Sequence, residues 1–191
     1  MQRLIATATG SATASLPGFR AAFPRIVLKV HVSNLVQNLT YRGADIALRH
    51  ASSPAEGLVG RKLGTIRQAI FVHHSLAEHR LDTLPAIGPG DDLPYPALHA
   101  AMRSTGLLPN CTVRLNSILS MHHAVRHLGG AGILPVYLGG SDPNLFQCSE
   151  PIAALDTDLW LLTDAALRRT ARVCAVLDYF GTCSALRAKL A

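Results

Sequence analysis

Charge is scarce in this 191-residue chain, with Asp, Glu, Lys and Arg together making up 16% of it. So low a fraction suggests a surface partly covered by a partner, although chains rich in small residues share it. Aromatic residues are scarcer still, at 5%. None interleave with basic residues, which excludes the stacking platform of a single-strand nucleic-acid binder. Lys and Arg outnumber the acids 18 to 12, for a net charge of +6. They are dispersed, however, and no run forms a basic recognition helix. A diffuse positive field attracts anions, or lies near DNA, without reading sequence. The four cysteines, at 111, 148, 174 and 183, have no CxxC spacing and no pairing rhythm. That excludes a disulfide framework and predicts buried apolar thiols. No apolar run reaches the length of a membrane span. The opening MQRLIATATGSATASLPGFR carries too much Thr, Ser and Gly for the apolar segment of a signal peptide. A cytoplasmic location is expected, with no membrane partner.

Catalytic signatures are missing as well. Neither Gly139-Gly140-Ser141-Asp142 nor Gly181-Thr182-Cys183-Ser184 makes the Gly-x-Ser-x-Gly turn of a nucleophile elbow. His123 and His127 lie four apart beside His122, but a metalloprotease needs Glu where this chain has Ala124. The reading is a histidine-bearing exposed or interface helix face, with no metal site. Asp91-Asp92 reads as a helix start in which Asp92 caps. HAVRHLGGAGILPVYLGG, residues 123–140, sets glycines between a helix and a strand. A phosphate loop needs the reverse order, strand then glycines then helix, so this stretch is a turn closed by Gly129-Gly130. Gly132 then lets the strand pass close to another backbone. No enzyme and no cofactor is expected.

What is present is an apolar fraction of 49%, enough for a core. Apolar patterning predicts strands over 3–8, 26–32, 45–49, 57–64, 68–73, 84–87, 112–115, 132–134 and 158–163. Helices are predicted over 12–23 with an interruption at Pro17, from Ser33 to a stop at Gly43, over 95–105, over 117–128 and over 165–188. Residues 136–139 read as a helical turn. This alternation indicates an α/β protein with a mostly parallel sheet. The proline-rich stretch 85–96 hints at a second lobe inserted into a first.

Polar groups recur where predicted strands meet helices: Thr9 and Ser11, then Ser33 and Asn34. In open α/β sheets ligands bind beyond the carboxyl ends of strands, where helix N-termini offer N–H groups to an anion. Arg49 and His50, at the end of one strand, supply countercharge. The plainer alternative is that Ser33 only caps its helix.

The segments FRAAFPRIVLKVHVSN, GADIALRH, GLVGRKLG, VRLNSILSMHHAVRHLGGAGILPVYLG and DLWLLTDAALRRTARVCAVLDYF, in this order and spacing, resemble the effector-binding domain of LysR-type transcriptional regulators. The resemblance implies an α/β fold of two Rossmann-like lobes joined by a two-segment hinge, like a type 2 periplasmic binding protein. Lobe I would be 1–73 plus 158–191 and lobe II 74–157, with crossings near His73 and residues 155–158. It also implies an effector cleft lined by Thr9, Ser11, Ser33, Asn34, Arg49 and His50, with Asp92, Tyr95 and Gly132 from lobe II. The partners implied are a small anionic or zwitterionic metabolite, a homodimer or homotetramer formed through the first helix and the 117–128 helix, and DNA through an N-terminal winged helix-turn-helix. That DNA-binding domain is not among these 191 residues. The first helix segment, SATASLPGFRAAF, is about one turn shorter than the family's, which bears on both cleft and pairing. A solute-binding protein of a transport system, with the same fold, is the alternative.

Overall fold

The computed structural model describes residues 2–6, 16–32, 45–51, 53–93, 95–183 and 190. They divide into two compact units, residues 1–65 with 157–191, and residues 66–156. The chain passes between the units twice.

The first unit holds strands β1 (Gln2–Ala6), β2 (Leu28–Val32), β3 (Ile46–His50), β4 (Leu58–Ile66) and β10 (Thr157–Asp164), with helices α1 (Leu16–Ala22) and α5 (Ala171–Thr182). Its sheet order is β2-β1-β3-β10-β4. β1 runs parallel to β2 and β3, whereas β10 runs antiparallel to β3. Buried Ile46, Ala47 and Leu48 of β3 and Leu159, Leu161 and Leu162 of β10 form the apolar centre under α5. Helix α1 docks there through Phe19, whose ring stacks on Phe180 with centroids 5.6 Å apart.

The second unit contains β5 (Gln68–His73), β6 (Ala86–Pro89), α2 (Pro96–Ser104), β7 (Cys111–Leu115), α3 (Ile118–Leu128), β8 (Ala131–Pro135), the short helix α4 (Val136–Gly139) and β9 (Leu145–Gln147). Its sheet runs β7-β6-β8-β5-β9. β6 is parallel to β7 and β8, and β5 is antiparallel to β8 and β9. Every residue of β8, and all but the last of β5, is buried. This is why both read as unbroken apolar runs and not as alternations. Helix α3 starts at the Ser117 cap and ends at Gly129, whose φ of 71° suits a residue without Cβ. The turn reading of this stretch matches the structure.

The structure departs from the sequence expectations at several points. The sheets are mixed, because β10 and β5 both run against their neighbours. The first crossing falls between residues 65 and 66, eight residues before the expected 73–74, since pairing with β8 and β9 places β5 in the second unit. Pro17 occupies the first turn of the described helix, where a missing N–H costs nothing, and residues 12–15 of the expected helix lie outside the described residues. Residues 165–169 are turns, and helix begins only at Ala171. Asp92 caps no helix, because α2 begins at Pro96 with Tyr95 in the cap position. The three-residue β9 was not anticipated. The expected helix after Ser33 lies outside the described residues.

Candidate functional site

Of the nine residues assigned to ligand binding, Thr9, Ser11, Ser33 and Asn34 lie outside the described residues. Of the other five, Arg49 and His50 lie together in the first unit, Asp92 and Tyr95 lie near each other in the second, and Gly132 stands apart.

Arg49 and His50 close β3, in register with Trp160 and Leu159 of β10. Arg49 is half-buried and His50 exposed. The strand end is pinned by neighbours that sequence reading missed. Trp160 Nε1 donates to the Ala51 carbonyl at 3.1 Å, and the Ala51 N–H donates to the Asp158 carbonyl at 3.0 Å. Asp158 also accepts from Thr65 Oγ1 at 3.0 Å and pairs with Lys62 at 2.7 Å. The Lys62 ammonium holds the Asp158 carboxyl below its ordinary pKa against opposing desolvation, and Thr65 adds to the lowering. These contacts fix the backbone at the end of β3.

In the second unit, Tyr95 is half-buried at the N-terminus of α2, and its hydroxyl meets the Gln68 side-chain amide. Both groups also face the Leu155 carbonyl, at 3.5 Å from Tyr95 and 3.4 Å from Gln68. Burial raises the Tyr95 pKa, opposed by the Gln68 hydrogen bond. Gln68 is only 2% exposed, yet its Oε1 has no hydrogen-bond partner among the described residues. One signal could have found it: a single amide heading the otherwise apolar run QAIFVH must find polar partners. A shallow recess of about 360 Å³ opens beside Tyr95, lined also by Asp91, His99 and Arg103. Asp92 is exposed nearby but does not line it.

Gly132 belongs to neither polar group. It is buried in β8, in register with Phe71 of β5 and Ile87 of β6. A Cβ there would lie 2.6 Å from Val125 Cγ2 and 3.4 Å from the Ile87 carbonyl. Its role in the fold is to admit a helix side chain. The close backbone approach expected of it is present at the Ile87 carbonyl, and a tighter one lies at Gly130, where a Cβ would stand 2.6 Å from the Pro85 carbonyl.

The histidine helix divides in two. His122 faces inward, its Nε2 3.1 Å from Asp142, while His123 and His127 are exposed. Burial lowers the His122 pKa despite that carboxylate. Arg126, 3.5 Å from Asp142, therefore supplies the charge that Asp142 faces. Burial alone raises the Asp142 pKa, but two 3.0 Å hydrogen bonds from Asn144, with Arg126 and His122, outweigh it and lower the value. The uniformly exposed or interfacial face expected from sequence is thus wrong for His122. The cysteines are half-buried instead of buried, and Cys111, Cys148 and Cys174 are unpaired. Among the described residues, no group of three or more His, Cys, Asp or Glu side chains could hold a metal ion.

The family model of the LysR substrate binding domain matches residues 5–183. An HTH-type transcriptional regulator of Xanthomonas campestris pv. campestris (strain 8004) is 40% identical over 60 residues, or 31% of this chain and 17% of that protein. The aligned stretch is thus less than a fifth of that relative. Among solved structures, the regulatory domain of CrgA, a LysR-type transcriptional regulator from Neisseria meningitidis, superposes with a TM-score of 0.76 at 17% identity. That match covers 100% of this chain and 98% of that one. Full-length CbnR complexed with its target DNA matches with a TM-score of 0.69 at 9% identity, over 94% of this chain and 69% of that one. At such identities the structural likeness establishes the fold, an α/β architecture of the type 2 periplasmic-binding-protein kind.

Proposed function

The chain belongs to the LysR substrate-binding-domain family, and from that premise we propose that it is the sensing domain of a transcription regulator responding to a small anionic or zwitterionic metabolite. The observation that carries this reading is the pinned cationic end of β3, where Arg49 stands among residues held by Trp160, Asp158 and Lys62. An effector carboxylate there would gain a charge-assisted hydrogen bond from the Arg49 guanidinium. Thr9, Ser11, Ser33 and Asn34 would add hydroxyls and amides, and Asp92 and Tyr95 the polar groups of the second unit. Gly132, buried in its strand, would act through packing.

The regulator reading supposes that effector favours one of two arrangements of the domain, in proportion to its differential affinity for them. A homodimer or homotetramer would pass that preference to a DNA-binding domain elsewhere in the protein, acting in the cytoplasm. Two observations support this. The CbnR chain that this one matches over only part of its length was solved on target DNA. Exposed Leu119 and Leu128 also leave apolar surface on α3. The family is one of regulators, which favours sensing over solute delivery or turnover. Among the described residues, no helix is long and apolar enough to cross a membrane.

The test is a thermal-shift screen against amino acids and organic acids, followed by calorimetry on the hit. Arg49→Ala and Ser33→Ala should each weaken binding by about 1 to 3 kcal/mol, the cost of a lost charge-assisted or buried hydrogen bond. Unchanged affinity in both variants would remove this site from consideration.

A further inference from the structure

Helix α3 presents two different faces. Met121, Ala124 and Val125 are buried, and His122 turns inward to Asp142. The opposite face carries Leu119, His123, His127 and Leu128, all exposed. His123 and His127 lie one turn apart with rings nearly parallel, 4° between planes and 6.3 Å between centroids. Neither ring has a hydrogen-bond or salt-bridge partner among the described residues. A helix C-terminus favours cations and so accounts for His127, but His123 is mid-helix.

We propose that His123 and His127 form a bidentate surface site for a borderline divalent transition metal of the Zn²⁺, Ni²⁺ or Cu²⁺ class. The i, i+4 spacing puts two imidazoles on one face of a helix, the arrangement by which helical histidine pairs chelate zinc. A shared ion would take one nitrogen of each ring at about 2.1 Å. Imidazole selects this class, whereas the hard cations Ca²⁺ and Mg²⁺ favour carboxylate oxygens, and this helix carries no Asp or Glu. His122 is not a third ligand, because its ring is committed to the Asp142 side. Arg126 is likewise drawn to Asp142, which keeps its charge off the pair. With Ala124 where a hydrolytic site needs Glu, the metal is bound and performs no chemistry. Two coordination positions stay open, to be filled by water or by the same pair on a second copy of the chain. The inference does not depend on the effector reading, and its failure would leave that reading untouched.

The experiment uses the untagged chain titrated calorimetrically with Zn²⁺ and with Ni²⁺ at pH 7.5, with Mg²⁺ as the control cation. Wild type should bind one ion per chain, or one per two chains where a second copy completes the shell. His123→Gln and His127→Gln should each lower affinity at least tenfold, because a chelate becomes a single contact. Both rings are exposed, so circular dichroism should show both variants folded. A His73→Gln, His74→Gln double variant should retain wild-type affinity. Binding should weaken as pH falls, because protons compete for imidazole. Zinc affinity unchanged within twofold in both single variants, or lost equally in the His73, His74 control, would overturn the assignment.

Discussion

Substituting Gly132 by Ala separates a packing role from a ligand-contacting one. The added Cβ would sit 2.6 Å from Val125 Cγ2 and 3.4 Å from the Ile87 carbonyl. Neither neighbour yields easily: Val125 is fully buried with a branched, stiff side chain, and the Ile87 carbonyl belongs to a paired strand. Overpacking of this kind costs about 1 to 3 kcal/mol. Gly132 is not among the glycines with positive φ, so Ala also recovers about 0.4 to 1 kcal/mol by restricting the unfolded chain. The net expectation is a loss of roughly 1 to 2 kcal/mol, or a Tm lower by about 2 to 8 °C for a chain of this length. Val125→Ala alone creates a void and is destabilising too. Combined with Gly132→Ala, it removes the atom that clashes, so the double variant should be more stable than additivity predicts by about 1 kcal/mol. Thermal and urea denaturation of the four proteins complete the cycle. A neutral Gly132→Ala, or strictly additive costs, would refute the packing account. Effector affinity that falls tenfold at unchanged Tm would return Gly132 to the ligand.

Two further outcomes follow from the polar clusters. Tyr95→Phe should cost about 1 to 3 kcal/mol, since it strips a partner from the buried Gln68 amide. Because the Tyr95 pKa is raised in the fold, its contribution is whole below about pH 10 and is lost as pH climbs through the folded value. The variant should therefore show a flatter alkaline limb in a stability–pH curve, and an unaltered limb would contradict the assignment. The Asp158 pKa is lowered, chiefly by Lys62. That stabilisation is present above about pH 4 and vanishes as pH drops through the folded value. Lys62→Met should shift the acid-unfolding midpoint upward, measured by circular dichroism, and no shift would mean the pair is inert.

Patterning revealed the elements whose burial is extreme. QAIFVH and AGILP are strands because nearly every side chain is enclosed, and α3 was bounded by Ser117 and Gly129 through local backbone chemistry. Strand direction was not legible, since an apolar run reads the same whichever way its neighbour points. The first crossing was misplaced for a related reason: β5 is assigned by pairing with residues 131–135 and 145–147, far along the chain. Site residues followed the same division. Arg49 and His50 were visible as polar residues ending an apolar strand. The Gln68, Tyr95 and Leu155 cluster joins groups 27 and 87 positions apart, and no local pattern encodes such a meeting. Gly132 marks a tight passage against Val125 and the Ile87 carbonyl, and Pro17 sits in the first turn of the described helix.

The insertion of residues 66–156 into the first unit has a consequence for biosynthesis. β10 lies between β3 and β4 in its sheet, yet it is made some ninety residues after β4. While the ribosome works through the insert, β3 and β4 each wait with an unpaired border, the kind of open template on which nascent chains stick to one another. The insert has all its own strands and is ready to fold as soon as it emerges. The later half of this polypeptide's birth therefore finishes the earlier half, and crowding or slow translation between residues 66 and 156 is when the protein is most exposed to misassembly.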